Sequence, residues 1–364
     1  MARTIRIELG PRSYDVRIGP GALYMLGAAA AALPRCRSVI VIADQTVADL
    51  YAAMALASLE AARLTATLVT FPPGECSKTL QTISTILDRL LTQRPAIDRD
   101  TVIAALGGGV TGDLAGFAAA IALRGLRWLQ CPTTLLADVD SSVGGKTGVD
   151  HATGKNLIGA FHQPAGVIAD VATLASLPVD ELRNGLAECV KHGVIRDESL
   201  LAFIEENADA LLACRGEEMT ELVARNVAIK GAVVSADETE RGQRAHLNYG
   251  HTVGHAIETL LGYQTIAHGQ GVSLGMAAAG AMAVARRLLS ERDHQRILAL
   301  LARLGLPTKW PNLDAQQLWQ IMQHDKKARS GKVRMILARG LGSVDIVSDI
   351  HEQEVMEGMA ALEP

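Results

Sequence analysis

The chain is poor in the features that would take it out of a reducing, aqueous compartment. Its five cysteines, Cys36, Cys76, Cys131, Cys189 and Cys214, are odd in number, widely spaced and without a Cys-x-x-Cys pair, which argues against a disulfide framework and a thiolate zinc knuckle. There is no excess of positive charge: 35 Lys and Arg stand against 39 Asp and Glu, a formal net charge of -4, so no global basic field draws in nucleic acid or an anionic membrane. An apolar leader is also missing, because residues 1–9 alternate apolar and polar like a strand, so no signal peptide is expected and the cytoplasm is the default. The apolar stretch Val102 to Leu123 is broken by Asp113 and five glycines and reads as strand, loop and helix, not as a membrane span. Internal repeats and low-complexity tracts are absent as well.

What is present suits two domains, since 364 residues can bury two cores at roughly 150 residues each. Short β-branched runs alternate with helical patterns in the first half: Ser38 to Ala43, Ala66 to Phe71, Thr101 to Leu106, Trp128 to Cys131 and Val167 to Ala169. That texture predicts a parallel α/β sheet. From about Pro178 it changes to long amphipathic segments, Asp180 to Ile195, Glu217 to Ala236, Gly271 to Leu289 and Asp293 to Leu304. The second half is therefore expected to be mainly helical, with one late strand pair, Val333 to Leu337 and Ser343 to Val347, around a glycine turn. The boundary falls near residues 175 to 180.

Three blocks carry chemistry. Gly107, Gly109 and Gly112 satisfy Gly-x-Gly-x-x-Gly between a predicted strand and a predicted helix, where bare N–H groups and a helix N-terminus suit a pyrophosphate. The acidic residue expected about 20 residues on is missing, but Asp44 ends an earlier apolar strand and can accept from a ribose diol. The block Asp138 to Gly148, followed by Gly154-Lys155-Asn156, concentrates charge, hydroxyls and glycine with no regular period and reads as a ligand loop. Its Gly145-Lys146-Thr147 lacks the first glycine of a Walker A motif, that place being Asp140, which disfavours a nucleotide triphosphatase.

The third block, Leu247 to Glu258 followed by His268-Gly269, gathers three imidazoles. His251 and His255 share a helix face, and His268 with an upstream carboxylate, Glu188 the best candidate, can complete a divalent-metal site. Thr252 stands where a His-Glu-x-x-His protease needs glutamate, so that chemistry is disfavoured. Lys191, Lys230, Arg244 and the pair Lys326-Lys327, with Asn156 and Asn248, suit a polyhydroxylated, acidic, phosphorylated substrate.

Taken together these blocks resemble the 3-dehydroquinate synthases of the sugar phosphate cyclase superfamily. The resemblance spans nearly the whole chain and rests on Ala105 to Phe117, Arg124 to Leu136, Val139 to Thr147, Gly154 to Phe161, Leu247 to Glu258 and Asp325-Lys326-Lys327. It implies a Rossmann-like NAD-binding α/β domain over residues 1–177, a helical metal- and substrate-binding domain over 178–364, and a homodimer. By resemblance the ligands of zinc or cobalt are Glu188, His251 and His268, with His255 an active-site residue outside that set. NAD contacts are implied at Asp44, Gly74, Glu75, Lys78, Gly108, Gly109, Val110, Thr111, Gly112, Asp113, Thr133, Thr134, Lys146, Lys155, Thr173, Leu174 and Ser176. Substrate-site positions are implied at Asp140, Lys146, Lys155, Asn156, Lys191, Lys230, Arg244, Asn248, His255 and Lys326. The implied reaction turns 3-deoxy-D-arabino-heptulosonate 7-phosphate into 3-dehydroquinate and phosphate. Gln270, Asp138 and Asp150 depart from the family's common Glu, Gln and Asn. The alternatives are a related cyclase with another sugar phosphate, or a metal-dependent polyol dehydrogenase, which would accumulate NADH.

Overall fold

The computed structural model describes residues 2–240, 242–262, 265–324 and 333–364. They form two compact units, Met1–Leu177 with Cys214–Ser235, and Pro178–Ala213 with Ala236–Pro364.

The first unit is built on a seven-stranded sheet in the order β1-β2-β9-β6-β5-β3-β4. Its strands are β1 Arg3–Ile7, β2 Tyr14–Ile18, β3 Ser38–Asp44, β4 Thr65–Phe71, β5 Val102–Gly107, β6 Arg127–Pro132 and β9 Gly166–Ala169. All pairs are parallel except β1 with β2 at the edge. The central strands β3 and β5 are unbroken apolar runs because both faces are covered. Along β3, Val39, Val41 and Ala43 join one apolar layer with Leu26, Ala55 and Leu59, while Ile40 and Ile42 join the other with Ile83, Ile86, Leu90 and Leu114. Those layers are supplied by α1 (Ala53–Ala61) on one side and by α2 (Leu80–Leu91) and α3 (Gly109–Ile121) on the other. The Rossmann-like α/β plan read from the sequence is what the chain adopts.

Two expectations are corrected. The block read as an irregular ligand loop opens on a helical turn, Ala137–Ser141, and runs into an antiparallel ribbon, β7 Lys146–His151 with β8 Gly154–Phe161. Gly148 and Gly159 face each other across it so closely that a Cβ on Gly148 would lie 2.3 Å from the Ile158 carbonyl oxygen. Most of β8 is exposed, so the alternation that betrays a half-buried strand is missing. The segment Cys214–Ser235, expected in the helical domain, belongs to the first unit. There Gly231 leaves room for Ile7, whose Cδ1 would be 2.5 Å from an added Cβ.

The second unit carries α4 (Val179–Arg196), α5 (Glu198–Leu212), α7 (His251–Leu261), α8 (His268–Ala285), α9 (Glu291–Arg303), α10 (Ala315–His324) and α11 (Glu352–Ala360); α6 (Gly216–Ala236) precedes α7 in the chain. The late pair is β10 Val333–Ala338 with β11 Val344–Ile350, antiparallel. α7 and α8 meet through glycine: a Cβ on Gly254 would fall 2.7 Å from the Gly271 carbonyl oxygen, and one on Gly275 1.9 Å from that of Gly250. No larger residue permits that approach, and it sets the histidines of α7 beside the first residue of α8. Among the described residues no helix is long and apolar enough to cross a membrane.

Candidate functional site

In the first unit β3 and β5 run side by side, β4 lies beyond β3 and β6 beyond β5, so the chain reverses direction across the sheet between them. The C-terminal ends at such a switch point form a crevice suited to a nucleotide. Asp44 ends β3 and the glycine turn ends β5. Asp44 Oδ1 accepts the Val47 N–H at 3.0 Å, and Thr111 Oγ1 donates to Asp44 Oδ2 at 3.3 Å. The structure thus joins the two features that the sequence separates by more than sixty residues. A Cβ on Gly107 would lie 2.3 Å from Thr111 Oγ1, so the turn admits no side chain there. α3 starts at Gly109, leaving the backbone N–H groups of Gly109, Val110 and Thr111 at its N-terminal end, while the Gly112 N–H donates to the Gly108 carbonyl at 3.0 Å. Nearby hydroxyls, Thr133 Oγ1 and Ser141 Oγ, are buried and lack a hydrogen-bond partner. Thr134 Oγ1 is used instead to accept the Ala137 N–H at 3.1 Å. A bare turn, a helix N-terminus and unsatisfied hydroxyls fit a diphosphate.

The flanking loops are held by charge. Gly74, at φ 98°, opens the turn of Glu75–Ser77, and Lys78 bonds Asp113 at 2.6 Å. Burial pushes the Lys78 ammonium toward neutrality, but Asp113 and Glu75 outweigh it and raise its pKa. Glu75 meets Lys155 at 3.5 Å. Tyr51 donates to the Thr173 carbonyl at 3.1 Å and lies 2.6 Å from Ser176 Oγ, fixing the turn that buries Leu174.

The ribbon presents Lys146, Lys155 and Asn156. Asn156 is left-handed at φ 56°, and its N–H donates to Asp150 Oδ1 at 2.8 Å, while the Asp150 N–H donates to the Lys78 carbonyl at 2.9 Å. Lys230 donates to Asp140 Oδ1 at 2.6 Å. Asp138 is fully buried, and neither of its carboxyl oxygens has a partner. Burial, then the charge of Asp170, raises its pKa well above the usual carboxylate range, so the fold disfavours the charged form of this departure from the family pattern.

In the second unit Glu188 stands on α4 with its side chain 1% exposed. Its Oε2 is paired with Lys191, one turn along the same helix. Its Oε1 accepts no hydrogen bond, and lies 3.6 Å from His251 Nε2 and 3.8 Å from His268 Nε2. Ligands about 2.1 Å from a tetrahedral ion are separated by ~3.4 Å, so these spacings fit a first-row divalent ion. Proton placement agrees. His251 Nδ1 lies 3.2 Å from the Tyr249 carbonyl and His268 Nδ1 lies 2.9 Å from Glu258 Oε1. Both neighbours accept, so each ring carries its proton on Nδ1 and turns a lone pair on Nε2 toward Glu188. Burial alone would lower the His268 pKa, but Glu258, with Glu188, outweighs it and raises it. His255 joins this group, its ring centroid 5.1 Å from that of His251 and 5.8 Å from that of His268. All three imidazoles offer a nitrogen within 4.8 Å of the others.

Arg244 is 3% exposed, its backbone N–H bound to Asp237 at 3.0 Å and its guanidinium to the Glu238 carbonyl at 2.6 Å. Asn248 ends the same short turn, Gln243–Asn248. Gln270 receives the Ala267 N–H at 3.0 Å, so its amide oxygen caps α8 as a glutamate would. Asp325, Lys326 and Lys327 lie outside the described residues. Sequence reasoning missed the part played by Glu258, although a carboxylate seven residues after His251 falls on the same helix face. Tyr51 and Asp150, which act through a hydroxyl and a carboxylate on backbone groups, had no such signal.

Comparison with known proteins now decides the lineage. The family model described as 3-dehydroquinate synthase N-terminal matches residues 68–184, and that described as 3-dehydroquinate synthase C-terminal matches 185–328. The 3-dehydroquinate synthase of Desulforamulus reducens is 46% identical over 354 residues, 97% of this chain and 98% of that protein. This chain belongs to the 3-dehydroquinate synthase family. Two solved structures share its fold more distantly. The 2-epi-5-epi-valiolone synthase of Streptomyces hygroscopicus with NAD+ and Zn2+ bound is 27% identical, with a TM-score of 0.87 over 98% of this chain and 97% of that one. A 2-deoxy-scyllo-inosose synthase complexed with carbaglucose-6-phosphate, NAD+ and Co2+ is also 27% identical, with a TM-score of 0.87 over 98% of each chain.

Proposed function

We propose that the protein is a 3-dehydroquinate synthase, converting 3-deoxy-D-arabino-heptulosonate 7-phosphate to 3-dehydroquinate and phosphate by transient oxidation, β-elimination, reduction and aldol closure. The observation that carries this reading is the approach of His251 and His268 to the one unsatisfied oxygen of Glu188, in a chain whose other unit offers a glycine turn and Asp44 at a switch point. When bound, NAD supplies a reversible hydride acceptor and zinc or cobalt a Lewis acid.

The chain's own residues do the rest. Glu188, His251 and His268 hold the ion, Glu258 orients one imidazole, and Lys191 neutralises the second oxygen of Glu188. The α3 N-terminus, Thr133 and Thr134 bind the diphosphate, and Asp44 takes the ribose. Lys155, Asn156 and Arg244 hold the substrate phosphate and Lys146 the carboxylate region; Lys230 is committed to Asp140 and orients it. His255 moves a proton. Lys326 completes the substrate set. Family membership is also the ground for expecting a cytoplasmic homodimer, which sedimentation measures.

A continuous assay with 3-deoxy-D-arabino-heptulosonate 7-phosphate, NAD and zinc tests the reading, following phosphate and NADH together. Phosphate release with dehydroquinate and no accumulating NADH is the expected result. Sustained NADH growth replaces the reading with a polyol dehydrogenase. Turnover only of glucose 6-phosphate or sedoheptulose 7-phosphate replaces it with another cyclase.

A further inference from the structure

The short turn Gln243–Asn248 carries Arg244 and Asn248 at its two ends, both assigned above to the substrate. A 3₁₀ turn of six residues has poorer hydrogen-bond geometry than an α-helix, so its position draws on what grips it from outside. Between those residues stands His246, half-buried, and Arg196 at the end of α4 places its Nη2 3.0 Å from His246 Nδ1. A guanidinium has no lone pair to offer, so Arg196 donates and His246 accepts. This requires a neutral imidazole with Nδ1 unprotonated, the opposite tautomer from His251 and His268.

We propose that His246 is a positioning residue, which through its hydrogen bond from Arg196 holds the Gln243–Asn248 turn so that Arg244 and Asn248 meet the substrate. The inference rests on the function proposed above. Its geometry is complete within one unit. α4, β10 and β11 all pack against the turn. The charged groups they turn toward His246 are Arg196 on α4, Arg334 on β10 and Asp345 on β11. Asp345 is itself bridged to Arg339 at 3.3 Å, which leaves two cations against a shared anion. Gly342, in the turn between β10 and β11, donates its N–H to the Val194 carbonyl at 2.8 Å, so the hairpin and the end of α4 move as one support.

A pH dependence follows. Burial, then Arg196 and Arg334, push the His246 pKa below that of an ordinary histidine, with Asp345 opposing. Neutral His246 is the form that accepts from Arg196. As pH falls through its lowered pKa the acceptor is lost, a second positive charge faces Arg196, and the grip on the turn is released.

The test compares wild type with His246→Asn, His246→Ala and Arg196→Ala at about pH 7.5 and at about pH 4.5, well below the ordinary histidine range because the His246 pKa is lowered. Asparagine offers an acceptor oxygen at similar reach and does not titrate. Hydrogen exchange of the amides of residues 243–248, corrected for intrinsic rates, needs no catalysis. It is expected to quicken about tenfold in wild type at the lower pH and in the two alanine variants at both, the scale of one charge-assisted hydrogen bond. His246→Asn stays protected at both. In turnover the same variants raise KM for the sugar phosphate about tenfold while kcat moves little, and His246→Asn removes the acid limb of kcat/KM. Exchange that ignores Arg196→Ala, or that responds to pH equally in His246→Asn and wild type, overturns the positioning role. A protein silent in phosphate release but obeying the exchange pattern keeps the grip and overturns the function on which its purpose rests.

Discussion

The glycine turn of the first unit and the imidazole cluster of the second solve opposite problems. At Gly107 to Gly112 the fold removes side chains, so that backbone N–H groups and two orphaned hydroxyls are left for a ligand to satisfy. Around Glu188 it crowds titratable side chains together, with the Nδ1 atoms of His251 and His268 against acceptors and one Glu188 oxygen on Lys191, so that the other Glu188 oxygen faces two imidazole Nε2 atoms. The first device depends on space and the second on proton placement. A missing methyl group is therefore as functional at one place as a charged group at the other.

If the devices are separate, a lesion in either leaves the other intact. The largest effect is expected from Glu188→Gln or His268→Ala, which should lower turnover by roughly 10³-fold or more and strip bound metal, while calorimetric NAD affinity holds. Parallel loss of NAD binding would merge the two regions into one cooperative element. Gly254→Ala forces α7 away from α8 without touching a proposed ligand. It should cost about 1–3 kcal/mol in denaturant unfolding and reduce metal content. Glu258→Gln leaves the packing and unlocks the His268 ring, so metal affinity should fall about 10–100-fold by competition with a chelator. Gly107→Ala makes the mirror-image lesion, weakening NAD by about tenfold or more with metal content unchanged. The smallest effect is thermal. Because the Asp138 pKa is raised in the fold, the native state holds a proton that the unfolded chain gives up, and this acid costs stability increasingly as pH climbs above the ordinary carboxylate value. Asp138→Asn should then raise Tm by about 2 °C or more at pH ~8 and by less at pH ~4, as differential scanning calorimetry would register.

The sheet was legible because strands covered on both faces are apolar runs, as Val39 to Ala43 of β3 and Val102 to Leu106 of β5 are. The imidazole cluster was legible for a related reason: His251 and His255 repeat at helical spacing, and glycine beside them signals close packing. The ribbon β7–β8 was not, since its glycines and outward lysines erase the alternation a strand leaves in sequence. Nor could the assignment of Cys214–Ser235 be read, because an amphipathic helix records that it covers an apolar surface and not which one. Asp138 was visible as an unusual residue, yet its burial beside Asp170 is a long-range fact. His246 was hidden among louder neighbours, and only the arrival of Arg196 fifty positions away gives it a task.

The return of Cys214–Ser235 to the first unit has a bearing on how the chain is made. A ribosome that has released residue 177 has delivered every strand of the large sheet but not the helix whose Gly231 seats Ile7 or the lysine that meets Asp140. The nascent α/β body must wait, with that face uncovered, until residue 235 emerges, while Pro178–Ala213 of the other unit passes first. A gene cut at residue 177 should therefore yield an aggregation-prone fragment, and assembly of the two units is interleaved from the start.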